Sequence, residues 1–282
     1  MSKPNEKLGT REKLDISRTG FRDGSPVNVS SPLGEGVAFG GKICFDAGNV
    51  GNFNFRDRLV DYKDQFAISA WFRAEQEQSG AIVTRIKDIS FEKDNNLPKA
   101  RGYGLFLNNG KLHFNIVGVW ADDSWRVETV DPVSLRQWHH VVAVFDSTLP
   151  YEKARIYLDG RLQTLKINNG RLFRTFNDDS GLLRIGGGGG PEYRFRGDID
   201  EVRIYKSALA EEMLGVLACA DSIQTIARIT PAKRSRSQQL KLVNEWIAAA
   251  APEAVRDAHR KWRSLIEVRG RLESEFPTVM VM

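Results

Sequence analysis

The residues best equipped for recognition chemistry lie in Trp120-Ala121-Asp122-Asp123-Ser124-Trp125. Two indoles flank two carboxylates in a polar, turn-like stretch. Sugar rings stack on such aromatics and carboxylates accept their hydroxyls, so Trp120, Asp122, Asp123 and Trp125 are candidate ligand residues. The competing expectation is that one or both indoles fold back to plug the edge of the domain. Strand alternation adds Tyr103, His113, Asn115 and Tyr157 as side chains that could line the concave face of a sheet. Other chemistry is thinner. His139-His140 is the one histidine pair, and neighbours in a strand point to opposite faces, so they do not share a metal. Neither CxxC nor a tight Cys/His cluster occurs, which removes a zinc pattern. Cys44 and Cys219 are free thiols or a single disulfide, and spacing leaves both open. The run Gly186–Gly190 lacks the Lys-Ser/Thr of a phosphate loop and leads into Pro191-Glu192-Tyr193, so it reads as a turning loop between strands.

These residues need elements to position them. Trp138 to Leu162 holds two β-type runs, Val141–Phe145 and Arg155–Leu158, followed by Asp159-Gly160, the residue pair of a tight hairpin. In the second run Ile156 and Leu158 share one face, opposite Arg155 and Tyr157. Phe66, Ile68, Ala70 and Phe72 likewise alternate with Ser69 and Trp71, and Asn109-Gly110 marks a second hairpin. Further short runs are expected near residues 36–46, 81–85, 103–107, 111–117, 126–129, 182–185 and 200–205. Many short strands with turn chemistry between them predict an all-β sandwich or barrel, with a two-sheet jelly roll matching its size. Residues 1–30 mix charge, Gly and Pro without periodicity and read as an irregular arm; residues 31–206 form the β domain.

Helical signals begin at Ser207, which could cap a helix whose first turn holds Glu211 and Glu212. Longer helices are expected from about Ser237 to Ala250 and from Ala254 to about Phe276. The second carries Trp262, Leu265 and Ile266 as an apolar stripe. Residues 207–282 therefore read as an α-helical C-terminal extension, and the apolar ending TVMVM suggests a lead into a missing domain.

Bulk properties narrow the function. The chain has 282 residues, 41% hydrophobic and 27% charged, enough for a large core in a soluble globular protein. No apolar run approaches a membrane span, and the polar N-terminus lacks the apolar region of a signal peptide, though a piece of a longer protein would lack it too. The net charge of +5 is spread out, with Lys233-Arg234-Ser235-Arg236 the one compact cluster, so nucleic acid is not an expected partner.

Five stretches, FAISAWFRA, WHHVVAVFD, ARIYLDGRL, LLRIGGGGG and FRGDIDEVRIYKSALAEEM, resemble in that order the laminin-G-like or pentraxin-like concanavalin-A jelly rolls. The resemblance covers roughly Gly36 to Met213, and Gly197 to Leu209 is its most specific part. The whole chain is similar to the middle of large bacterial secreted proteins of the cytochrome-c-associated type, which implies an extracytoplasmic or periplasmic home and neighbouring domains as partners. The resemblance also implies a structural calcium ion. By position in IDEVRIY, Asp200 would supply the carboxylate, with Asp46 a second, Gly41 or its neighbours giving carbonyls, and Asp198 as an alternative. β-Glucanases of this fold place a Glu-x-Asp-x-Glu string on one strand, and none is present here. The expectation is a non-catalytic binding module, calcium-stabilised, presenting loops to a glycan or protein. A purely structural spacer between neighbouring domains is the alternative, and a glycoside hydrolase the third.

Overall fold

The structure, a computed structural model, describes residues 19–51, 53, 65–77, 80–86, 101–147, 149, 153–173, 176, 181–188 and 194–275. The chain divides into two compact units, one within residues 9–218 and one within 219–282.

The first unit is a sandwich of two antiparallel sheets. Among the described residues its strands are β1 Gly20–Arg22, β2 Val27–Ser31, β3 Gly34–Ala38, β4 Cys44–Asp46, β5 Gln65–Ala74, β6 Gly80–Ile86, β7 Gly102–Asn108, β8 Lys111–Val119, β9 Asp123–Thr129, β10 His139–Asp146, β11 Ala154–Leu158, β12 Arg161–Leu162, β13 Leu165–Arg171, β14 Arg184–Ile185 and β15 Gly197–Tyr205. One sheet has eight strands in the order β1-β4-β14-β6-β7-β8-β9-β13. The other has seven, in the order β12-β11-β10-β5-β15-β3-β2. This is the expected concanavalin-A-like jelly roll.

Alternation builds the core. Phe66, Ile68, Ala70 and Phe72 of β5 meet Val141, Ala143 and Phe145 of β10 and Ile156 of β11 on the inner side of the seven-stranded sheet. Tyr103, Leu105, Leu107, Leu112, Phe114 and Ile116 face them from the eight-stranded sheet. Both hairpins form as their residues dictate. Asn109 and Gly110 have φ of 50° and 73°, and Asp159 and Gly160 of 51° and 76°, so each two-residue turn matches the strand twist.

Three expectations are corrected. Residues 20–31 are not irregular: β1 pairs with β4 and β2 with β3, and these partners supply the order that local sequence lacks. The compact β unit does not stop at residue 206. Helix α1, Glu211–Leu217, puts buried Leu214 against Ala67, Val142, Val144 and Tyr157 on the outer side of the seven-stranded sheet, with Tyr205, Ala208 and Leu209 beside it. This covering is why β10 is buried along both faces. Ser207 is not its cap; Ala210 is, without a side-chain bond.

The second unit holds α2 Ile223–Arg228, α3 Arg236–Ala249 and α4 Glu253–Glu275. Ser235 and Gln238 form a capping box at the start of α3. Among the described residues Ile226 and Ala251 are its buried apolar residues. The closing TVMVM lies outside the described residues. Both cysteines are free, Cys44 buried and Cys219 partly so.

Candidate functional site

The pleat of the eight-stranded sheet decides what faces out. Since Leu105, Leu107, Leu112, Phe114, Ile116, Trp125 and Val127 enter the core, the intervening Phe106, His113, Asn115, Ser124, Arg126 and Glu128 project from the opposite side. Register sets them side by side: Phe106 lies opposite His113, His113 opposite Glu128, and Asn115 opposite Arg126.

Two aromatic rings anchor this face. A Cβ at Gly104 would stand 2.5 Å from the Phe106 ring, so that ring lies down over the glycine. Trp120, at the β8–β9 turn, joins Phe106, Ile86 and Val117 in a small apolar patch. The Arg126 guanidinium sits 4.5 Å from the Trp120 ring centroid, a cation–π stack. Arg126 Nε donates to Ser124 Oγ at 3.2 Å, and Ser124 Oγ donates to the Trp120 carbonyl at 3.0 Å. The guanidinium is thus tied through Ser124 to the backbone of the residue whose ring it covers.

The polar half is equally ordered. Glu128 accepts from Asn168 Nδ2 at 2.9 Å and from Lys166 Nζ at 3.2 Å. The Asn168 bond, then that from Lys166, holds its carboxyl below the usual range against the opposing effect of burial. Burial pushes the His113 imidazole down, more strongly than Glu128, 3.8 Å away, raises it. At neutral pH the face therefore presents a carboxylate, a neutral imidazole, a guanidinium and amides. Asn169 Nδ2 donates to the Ala121 carbonyl at 2.8 Å and ties β13 to the β8–β9 turn. Glu128 is the one carboxylate that β6 to β9 and β13 set on this outer side among the described residues.

The predicted ligand residues separate. Trp120 belongs to the face and Asp122 is exposed at the turn beside it. Asp123 is buried, and its Oδ1 accepts the Phe173 backbone N–H at 2.6 Å, an internal tie to the segment after β13. Trp125 points the other way, into the core, because it stands one residue out of phase with Arg126. Tyr157 is buried beneath α1 rather than lining an open face. Tyr103 is also internal, its hydroxyl donating to the Gly51 carbonyl at 2.8 Å. Phe106, Arg126, Glu128 and Asn168 are the members that sequence reasoning missed. Register opposite His113 and Asn115 would have found the first three, while Asn168 stands in the register break of β13.

The calcium donors do not assemble. Asp198 and Asp200 flank core residue Ile199 and so face outward from the seven-stranded sheet. Asp46 is next to core-facing Phe45 and projects outward from the other sheet. The core separates them. Asp46 is held by Arg22 Nε at 2.9 Å and Arg184 Nε at 3.1 Å, and Asp198 by Arg73 Nε at 2.6 Å. Asp200 accepts from Ser31 Oγ at 2.5 Å and from the Glu201 N–H at 2.7 Å, pinning the β15 bulge. Gly41 is a turn residue with φ of 75° whose N–H donates to the Phe195 carbonyl. Calcium needs six to eight oxygens in one shell, and these residues do not fit that demand. Among the described residues no group of three or more His, Cys, Asp or Glu could hold a metal ion.

The Laminin_G_3 profile, described as Concanavalin A-like lectin/glucanases superfamily, matches residues 47–214. No curated protein matches the sequence. Among solved structures, domain 4 of AbnA, a GH43 extracellular arabinanase from Geobacillus stearothermophilus in complex with arabinotriose, is 14% identical. The match covers 70% of this chain and 82% of that one, with a TM-score of 0.43. The Ruminococcus gnavus IT-sialidase CBM40 bound to alpha2,3 sialyllactose is 16% identical over 56% of this chain and 84% of its own, TM-score 0.43. The binding domain of Paraclostridial Mosquitocidal Protein 1 is 16% identical over 75% and 50%, TM-score 0.46. At such identities no ligand or residue role passes from them to this chain. No described helix is long and apolar enough to cross a membrane.

Proposed function

This chain belongs to the Concanavalin A-like lectin/glucanases superfamily, and from that premise we propose that it is a non-catalytic module holding a glycan on the outer face of the eight-stranded sheet. The observation that carries the reading is the Arg126-locked Trp120 beside Phe106, on the same face as Glu128, His113 and Asn115. Trp120 and Phe106 offer apolar surface to the C–H side of a sugar ring. Glu128 accepts hydroxyl protons, while the amides and Arg126 donate. Glycoside hydrolysis calls for a pair of carboxylates flanking the bond, and among the described residues of β6 to β9 and β13 the one on this side is Glu128, already bonded to Lys166 and Asn168. That supports binding over catalysis.

A second role fits beside the first. Val243 and Trp246 of α3 and Trp262 and Leu265 of α4 are large exposed apolar residues, which favours contact with neighbouring domains of a longer protein. We place that parent outside the cytoplasm, as a secreted protein of the cytochrome-c-associated type that the sequence resembles.

The test is a panel of soluble oligosaccharides and polysaccharides titrated by calorimetry into wild type and Trp120→Ala. Saturable binding by wild type, weakened about tenfold or more by Trp120→Ala, is the expected outcome. Binding that Trp120→Ala leaves intact would refute the assignment of this face.

A further inference from the structure

Apart from the outer face, a cleft lies along one edge of the sandwich. β13 ends the eight-stranded sheet and β12 ends the seven-stranded one. Gln163 and Thr164 carry the chain from one to the other. The Gln163 N–H donates to the Ile156 carbonyl at 2.9 Å, and the Thr164 carbonyl accepts from the Val130 N–H at 2.9 Å. The crossover is thus pinned to both sheets, and the space it bounds is preformed. That space is a cleft of about 360 Å³, within the size range of small-molecule sites, roughly 300 to 1,000 Å³.

Its lining is mixed: Trp125 and Val127 of β9, Ala154 of β11, and Leu162, Leu165 and Ile167 are apolar, while Arg155, Gln163 and Thr164 are polar. Leu162 is 58% exposed and Ile167 51%, so two large aliphatic side chains stand open to water beside one another's strands. Trp125 is 6% exposed, yet its buried indole N–H has no hydrogen-bond partner. An indole N–H can only donate, and a buried donor left unpaired is costly. The Lys153 ammonium lies 5.7 Å from the centroid of the same ring. A cleft with an apolar floor, the Arg155 side chain in its wall and Lys153 beside it asks for an apolar body with an anionic acceptor.

We propose that this edge cleft binds a small amphipathic carboxylate, either a medium-chain acid or an aryl acid. Its apolar body rests on Trp125 and Val127 under the lips formed by Leu162 and Ile167. Its carboxylate faces the Arg155 side chain in the cleft wall and the Lys153 ammonium beside the Trp125 ring. The site is independent of the glycan face: Trp125 is on the inner side of β9, whereas Arg126 is on the outer side.

Octanoate and octanol are the probes, and the Trp125 indole N–H resonance in a ¹H–¹⁵N spectrum is the readout, assigned by its loss in Trp125→Phe. Octanoate is expected to move that resonance saturably. Ile167→Asp, at an exposed position, should weaken the response about tenfold by removing a lip and repelling the anion. Lys153→Ala should weaken octanoate and leave octanol unchanged. A Trp125 resonance that stays still up to the solubility of octanoate overturns the proposal. So does a shift that Ile167→Asp does not reduce. An extended apolar peptide that moves the amides of residues 166–171, while octanoate moves nothing, would mean edge-strand pairing instead and equally overturn it.

Discussion

His140 shows how much one buried side chain can dictate. It has no exposed surface, it packs 5.2 Å from Trp71, and neither ring nitrogen has a partner. Burial, with the nearby charge of Arg203, pushes its pKa from 6.5 to about 4, against the opposing influence of Asp159. Below pH 6.5 the unfolded chain takes up this proton and the native one does not until about pH 4. Stability therefore falls across that window, by roughly 3 kcal/mol in full. Urea unfolding of wild type and His140→Phe over the same range should show the slope shrinking in the variant; equal slopes would mean another group drives it. Asp200 makes a complementary case. It bonds Ser31 across β3, where Gly36 leaves the room: a Cβ there would lie 3.1 Å from the Asp200 Cβ. It also holds Glu201 at φ of 51° in the bulge. Asp200→Ala should cost about 2 kcal/mol by denaturant titration. Because Asp46 and Asp198 are neutralised by arginines, the melting temperature should be the same in calcium and in chelator. A calcium-dependent rise abolished by Asp200→Ala would reinstate a metal there.

Among elements, the strands differ in how plainly they were written. β5 and β10 are central, and their alternation marks the inner face before any partner is known. β13, LKINNGR, is an edge strand with mostly exposed residues and a register break after Ile167, so it has no pattern to read and went unforeseen. β1, β2 and the two-residue β14 exist through partners distant in sequence, as in the Arg184–Asp46 pair. The site was half legible for the same reason. Trp120 falls in a turn and stays on the surface, while Trp125 is inside β9, where strand phase sends it inward. That phase depends on register with β8. Gly104 tests the outer face at this scale. Gly104→Ala would push the Phe106 ring off its seat, and a ring can swing, so the stability cost should be small, about 1 kcal/mol. Glycan affinity should fall by more than stability does. The helices follow local rules more closely: Ser235→Ala, which removes the capping box of α3, should cost about 1 kcal/mol in unfolding of the 219–282 unit.

For the whole molecule, one sheet serves two different ends. The outer side of the seven-stranded sheet is closed by α1 and by Leu209 and Tyr205, so recognition there is precluded over Val142, Val144 and Tyr157. The eight-stranded sheet keeps Trp120, His113 and Glu128 at its outer surface and gives Trp125 to the edge cleft. These two sites can be told apart by a single comparison. The measurement to make is the affinity of the best-binding polysaccharide for wild type, Trp120→Ala and Trp125→Phe, by titration calorimetry under one condition. Glycan binding on the outer face predicts that Trp120→Ala loses affinity about tenfold or more while Trp125→Phe, which keeps an aromatic ring in the core, retains it. Loss in Trp125→Phe with full affinity in Trp120→Ala would contradict that account.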